Sequence, residues 1–400
     1  VVGLRRRTRR LTCRCGWSTA ATYDRSVRRR RHLDLGVCRL FVVCEIRRLD
    51  CRVCGRVRTE TVPWARPGAR HTRDLEDVVG FLAQRVDKTT VARLLRVSWE
   101  TVAAIVIRVV AEALDPDRLD RLYRIGVDEV SYRKHHRYLT VVADHDRAGA
   151  VIWAAAGKNA ATLSAFYEEL GPERCARLEA VSLDMGAAYR SATTNHAPRA
   201  AQCIDPFHVI KLANTAVDKT RSHETNRARH GWTPPPKRPV GRPAVDTPPR
   251  QPDPGRQIKG TRWALLKDPQ HLSRSQQQIL IRLRKQRSML YRAWRLKQDL
   301  RDLYRLPDPA LAAEHLDRWL ASACRSRIPA FLTLSRTIRQ HKKEILAAIN
   351  LNLSNSKLEG IASKIRLINH RGYGHHTAAA LISMIYLCCG GITIELPTER

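Results

Sequence analysis

Three apolar runs follow one another between Arg124 and Gly157: RIGVDEV, RYLTVVADHD and GAVIWAAAG, joined by short polar turns. Runs of this length with no helix-sized segment between them predict consecutive strands of an antiparallel meander. The period then changes. ATLSAFYEEL reads as a helix, LEAVSLDMG as a strand, AAYRSATTNH as a helix, AAQCIDPFHV as a strand and FHVIKLANTAVDKTRS as a helix. Strands first, then alternating helices and strands, leave few arrangements open: a mixed α/β sheet with helices on its faces.

That order is interrupted. Residues 221–260 hold nine of the chain's 20 prolines, in a stretch that includes TPPPKRPVGRPAVDTPPRQPDPGR. Such composition predicts an extended linker rather than helix. VGRPAV, around Arg242, has the form of an Arg-Pro hook for the minor groove of DNA, but a solvated linker is the stronger reading. From Thr261 to Leu306 the pattern is strongly helical, and helix continues to about Asn350. The sheet domain is therefore expected over 119–222 and 351–400, split by a linker at 223–260 and an α-helical insertion at 261–350.

Two smaller modules precede it. Residues 1–70 carry 19 Lys or Arg against 5 Asp or Glu, and place Cys13 and Cys15 in TCRCGW and Cys51 and Cys54 in CRVCG. Two close cysteine pairs can complete a tetrahedral thiolate site for Zn2+. The first pair is one residue tighter than the common spacing and demands a sharper turn; His32, Cys38 and Cys44 are substitute ligands. Over 71–118, TTVARLL and WETVAAIVIRVV flank a break at Arg96–Ser98. This predicts a helix-turn-helix with Ala92, Leu95, Val97, Val102 and Ile105 inside and Ser98 capping the second helix. The first turn of that helix offers Glu100 and Thr101 to a major groove, with Arg108 further along for phosphate.

Charge names the partner. With 72 basic and 38 acidic residues the chain carries a formal +34, which favours a polyanion. Of the basic residues 58 are Arg, whose fork can grip phosphate or guanine in two-pronged fashion. Double-stranded DNA is the expected ligand. The longest apolar runs contain charges and fall short of the roughly 20 residues that cross a bilayer, and VVGLRRRTRR has no apolar stretch of a secretory signal behind it. A cytoplasmic protein is expected, with its eleven cysteines as metal ligands or buried thiols rather than disulfides.

Three acids stand out by position. Asp128 lies in the first strand, Asp184 ends the fourth, and Glu359 sits in the helix that resumes after the insertion, among Lys357, Lys364, Arg366 and Arg371. The element order resembles the ribonuclease-H fold. A sheet of that kind sets its first and fourth strands side by side and packs the last helix near them, so the three carboxylates can converge. Hard oxygen ligands suit Mg2+ or Mn2+, and a two-metal site activates a hydroxyl for in-line attack on a phosphodiester. The basic neighbours of Glu359 would hold the DNA strand.

The chain resembles the bacterial insertion-sequence transposases of the ISL-three family. The likeness covers nearly all of it and is most specific in IGVDEVSYRK, SLDMGAAYR, DPFHVIKLAN, KGTRWALLKDPQHLS, SKLEGIASKIRLINHRGYGHH and LCCGGITIELP. It implies a zinc-binding module, a helix-turn-helix and an Asp-Asp-Glu catalytic domain, with the acids at Asp128, Asp184 and Glu359. It also implies that Asp205 and His208 brace the site or contact DNA. The activity implied is binding of terminal inverted repeats, cutting at the element's ends and joining to target DNA, by a homodimer or higher oligomer. Two positions depart from the family: the tight Cys13/Cys15 pair, and Ala362, where relatives often show Asn. Ala362 favours the alternative, a catalytically inactive DNA-binding regulator derived from such an enzyme. Glu129, Asp144 and Asp146 are rival acids; Glu129 alternates to the opposite face from Asp128, and the other two sit where a turn would use them.

Overall fold

A computed structural model describes residues 1–133, 137–233, 253–375 and 377–400. Arg242 and its neighbours lie outside the described residues. The chain divides into two compact units, the first made of Val1–Leu122, Asp128–Arg174 and Leu358–Arg400, the second of Tyr123–Val127 and Cys175–Lys357.

The first unit begins with short strands β1 (Val2–Gly3), β2 (Leu11–Thr12) and β3 (Ser18–Thr19), followed by β4 (Asp24–Arg31), β5 (Phe41–Cys51) and β6 (Arg56–Thr59). β5 is the spine: β1 joins it in parallel, β4 and β6 antiparallel. Three helices follow: α1 (Arg73–Ala83), α2 (Lys88–Leu95) and α3 (Trp99–Ala113). Each starts on a side-chain cap, from Thr72, Asp87 and Ser98, which satisfies a backbone N–H that the first turn leaves free. The turn between α2 and α3 lacks glycine. Arg96 takes the left-handed conformation instead, at φ 52°. Its side chain is anchored for it, with Nε donating to Asp34 at 2.7 Å and Nη1 to the Val37 carbonyl at 3.0 Å.

The sheet that follows uses β7 (Arg124–Arg133), β8 (Arg137–Asp144) and β9 (Ala150–Ala156), then α4 (Ala160–Leu170), α5 (Pro172–Cys175), β10 (Ala180–Leu183), α6 (Ala187–His196), β11 (Ala201–Ile204) and α7 (Pro206–Ala228). Its order is β11-β10-β7-β8-β9. β8 and β9 are antiparallel, whereas β10 pairs in parallel with both β11 and β7. Asp144, at the end of β8, serves its turn: Oδ1 accepts from the Asp146 amide at 2.8 Å.

In the second unit α8 (Arg256–Lys259), α9 (Arg262–Leu266), α10 (Arg274–Lys285), α11 (Met289–Asp302), α12 (Ala312–Arg325), α13 (Pro329–Gln340) and α14 (Lys342–Asn350) build an apolar core together with α7. The chain then returns to the first unit as α15 (Ser356–Arg371) and α16 (Ala378–Cys389). These two helices share one core with α1, α2, α3 and β8: Val79, Val91 and Ile105 are buried in the same cluster as Leu139, Ile365 and Leu381. Among the described residues no helix is long and apolar enough to cross a membrane.

Candidate functional site

Cys13, Cys15, Cys51 and Cys54 bring their sulfurs within 4.8 Å of one another. Cys13 lies 3.9 Å from Cys54 and Cys15 lies 3.5 Å from Cys51. Four thiolates about 2.3 Å from a tetrahedral zinc would stand about 3.8 Å apart, so the donor set and its spacing fit that ion. The tight first pair is accommodated by Gly16, which turns at φ 90° and donates to the Cys13 carbonyl at 2.9 Å. A side chain there would be strained. The substitute ligands do not join the cluster: His32 instead shares a hydrogen bond with Thr72 at 2.8 Å. Among the described residues this is the one such grouping of three or more metal-ligating side chains.

In the helix-turn-helix, Ser98 caps α3 by accepting from the Thr101 amide at 3.2 Å, and the two hydroxyls lie 3.0 Å apart. Glu100 is exposed and Thr101 half-buried at the start of α3. Arg108 is engaged internally, its Nε donating to buried Glu76 at 2.9 Å. On α15, Lys357 and Arg366 are exposed. Lys364 donates to the Cys388 carbonyl, and Arg371 holds the end of α1 through the carbonyls of Ala83 and Gln84 at 3.0 and 3.2 Å. Lys and Arg side chains commonly satisfy helix C-termini in this way.

The three acids lie on β7, just after β10 and in the first turn of α15. Asp128 is half-buried and accepts from the Glu129 amide at 2.7 Å. Asp184 accepts from the Gly186 amide at 2.7 Å. A Cβ at Gly186 would stand 2.7 Å from that same Asp184 oxygen, so glycine is what lets the amide approach. Glu359 is exposed, and among the described residues no cation forms an ion pair with it. Ala362, one turn on, is buried in the core of the first unit.

Sequence reasoning missed Asn355. It stands just before α15, four residues ahead of Glu359, and is buried. Its backbone N–H donates to Asp205 Oδ1 at 3.1 Å, and its side-chain oxygen accepts from the hydroxyl of Ser182, two residues before Asp184. Burial pushes the Asp205 carboxyl above the usual carboxylate range, opposed by the Asn355 amide and by His208 nearby. The signal in the sequence was a polar Asn placed between apolar Leu353 and Leu358.

Comparison with known proteins joins these parts. Residues 60–110 match the family model described as the helix-turn-helix domain of transposase family ISL3, and residues 125–385 match that family's model described as Transposase. A DNA-reading helix pair and a transposase domain on one chain define an insertion-sequence transposase. The chain is 40% identical over 391 residues to the transposase for insertion sequence element IS1557 of Mycobacterium tuberculosis, covering 96% of this chain and 86% of that one. It is 31% identical over 363 residues to the transposase for insertion sequence element IS1001 of Bordetella parapertussis, covering 90% and 84%. The chain belongs to the ISL3 transposase family.

Proposed function

We propose that this transposase binds the terminal inverted repeats of its element and catalyses metal-dependent cleavage and strand transfer, with Asp128, Asp184 and Glu359 as the acids of a ribonuclease-H-like site. The observation that carries this reading is a register. Ser182 of β10 pairs with Gly126 of β7, and each is followed two residues later by a carboxylate, Asp184 and Asp128. Asp128 lies on β7 itself, and Asp184 follows directly after the end of β10. Glu359 supports it by what it lacks: an acid in so basic a helix with no cation paired to it, among the described residues, is not explained as a salt-bridge partner.

Carboxylate oxygens are the donors that Mg2+ or Mn2+ prefers, and Asp128, Asp184 and Glu359 would hold such ions. Bound there, divalent metal would activate the attacking hydroxyl and stabilise the leaving oxygen. The chain's own groups prepare the site. The Gly186 and Glu129 amides fix one oxygen each of Asp184 and Asp128, while Asn355 ties the approach to α15 to Ser182 and Asp205. The zinc-suited knuckle and the helix-turn-helix supply recognition, and a homodimer or higher oligomer holds both ends of the element.

Incubating the protein with duplexes bearing the element's ends and with Mg2+ tests the reading. Cuts at the ends, followed by joined products, are expected. Tight repeat binding with no cutting under Mg2+ or Mn2+ would point to the regulator derived from such an enzyme.

A further inference from the structure

Beside the cysteine knuckle lies a cavity of about 940 Å³ whose wall includes Arg14, Arg28, Arg30, Arg58 and Arg70. These come from four separate segments: the first cysteine turn, β4, β6 and the loop before α1. Among the described residues no carboxylate pairs with any of the five. The wall's own acid, Glu60, is already engaged, accepting from Arg6 at 2.6 Å and from the Arg47 amide at 2.7 Å. Arg66, on the same wall, is held by Asp77 and Glu112.

The strand pattern explains how the cluster forms. β4 is hydrogen-bonded to β5 along its whole length and ends the sheet order, so its charged run DRSVRRRR sits at an edge, where charge discourages further strand pairing. Arg29, which also borders the cavity, packs over the Phe41 ring, 3.6 Å from the centroid, with Arg31 also toward that ring. Arg28 and Arg30 belong to the other face. Arg30 is half-buried, with Nε donating to the Ala69 carbonyl at 3.1 Å and the guanidinium 5.0 Å from the Trp64 ring. Burial and the adjacent Arg28 cation both push its pKa down. A partly buried cation beside like charges, with no carboxylate to balance it, is a site that gains from an anion.

The strand that lines the cavity is also tied to the start of α1. The Thr72 amide, at the cap of α1, donates to the Arg31 carbonyl of β4 at 2.9 Å, and Arg73 to the Trp64 carbonyl at 2.8 Å. Strand and helix start are thus fixed to each other.

We propose that this cleft is a binding site for the phosphate backbone of duplex DNA, gripping sequence next to the segment read by the helix-turn-helix. The proposal deepens the reading above and rests on it for the DNA partner alone. Five arginines from four segments suit successive phosphates of one strand better than a single small anion. Contacts of this kind position the protein and carry no base preference.

The test uses the full chain with labelled duplexes, one bearing an element end and one of random sequence, titrated with salt by fluorescence anisotropy. Arg28→Ala and Arg58→Ala should weaken binding to both duplexes alike and reduce the slope of log K against log salt by about 0.9 each. Arg56→Ala, on the same strand as Arg58 but outside the cleft, should leave the slope unchanged; metal content and thermal unfolding of each variant confirm its fold. An unchanged slope in Arg28→Ala and Arg58→Ala, or an equal drop in Arg56→Ala, overturns the cleft. If the parent binds both duplexes equally, repeat recognition fails, while a slope lowered only by the cleft variants still upholds the cleft.

Discussion

Asn355 and Asp205 are joined across 150 positions of sequence by a 3.1 Å hydrogen bond between a backbone amide and a buried carboxylate. With Ser182 on the Asn355 side chain, the bond ties the residue before α15 to the two strands whose ends carry Asp184 and Asp205. Asp205→Asn keeps an acceptor and removes a buried charge. Because burial raises the Asp205 pKa, its ionised form weakens the fold at neutral pH, so the Asn variant should match or exceed the parent in thermal stability. Asp205→Ala leaves the buried Asn355 amide unsatisfied and should cost about 1–3 kcal/mol. Calorimetry of both variants checks this; an Asn variant as unstable as the Ala variant would show that the charge itself is required.

Asp128→Asn, Asp184→Asn and Glu359→Gln should each abolish strand cutting while leaving repeat binding within about twofold. An amide keeps the shape but loses the anionic metal ligand. Double variants should be no worse than single ones, since groups that act as a unit are not additive. Glu129→Gln is the control. A Glu359→Gln protein cutting near the parent's rate would move the assignment to another carboxylate.

Gly186→Ala introduces a Cβ 2.7 Å from Asp184 Oδ1, with backbone dihedrals that alanine tolerates. The fold should survive and the carboxylate should shift. A displacement of about 1 Å at a reacting group can cost on the order of 100-fold in rate. Cutting should fall by that order with repeat affinity unchanged, and full activity would show that the Asp184 position is not critical.

Elemental analysis of protein prepared under reducing conditions should give about one zinc per chain, and none for the Cys13→Ser, Cys51→Ser double variant. Stripping the metal with a chelator should lower the thermal midpoint, because binding energy at such a site is folding energy. A parent protein that folds normally without zinc would reduce the cluster to four free thiols.

Lys297 is wholly buried, with Nζ donating to the carbonyls of Leu265 and Leu266 at 2.6 and 3.2 Å. Burial, with Arg301 nearby, draws its pKa down to about 7. Below about pH 7 both folded and unfolded chains hold the proton, and the cost of burying the cation is present in full. From there to about pH 10 the unfolded chain binds more protons, so stability contributed at this site rises with pH. The difference in unfolding free energy between parent and Lys297→Met should therefore shift toward the parent from pH 7 to pH 9.5. A difference flat across that range would show the lysine titrating normally.

Local pattern was legible where local physics decides. The β-rich runs from Arg124, the alternating elements after them and the Ser98 cap are all formed as their residues predict. The cysteine pairs were legible because thiols at that spacing have few other uses. What the sequence hid was set by distant packing. Arg371 looks like a free cation until α1 ends against it, and Asn355 looks like a loop residue until Asp205 and Ser182 arrive from other strands. Nor does any periodicity announce that Arg96 can take a glycine's conformation, since its anchor, Asp34, lies 62 positions away.

The core beneath α1, α2 and α3 is completed by α15 and α16, so these three helices are covered by residues that come much later in the sequence. A fragment that ends soon after α3 would display Val79, Val91 and Ile105 without the Ile365 and Leu381 that share their core. A chain interrupted before α15 should therefore present an uncovered apolar face, and limited proteolysis should cut its α1–α3 segment faster than that of the intact chain.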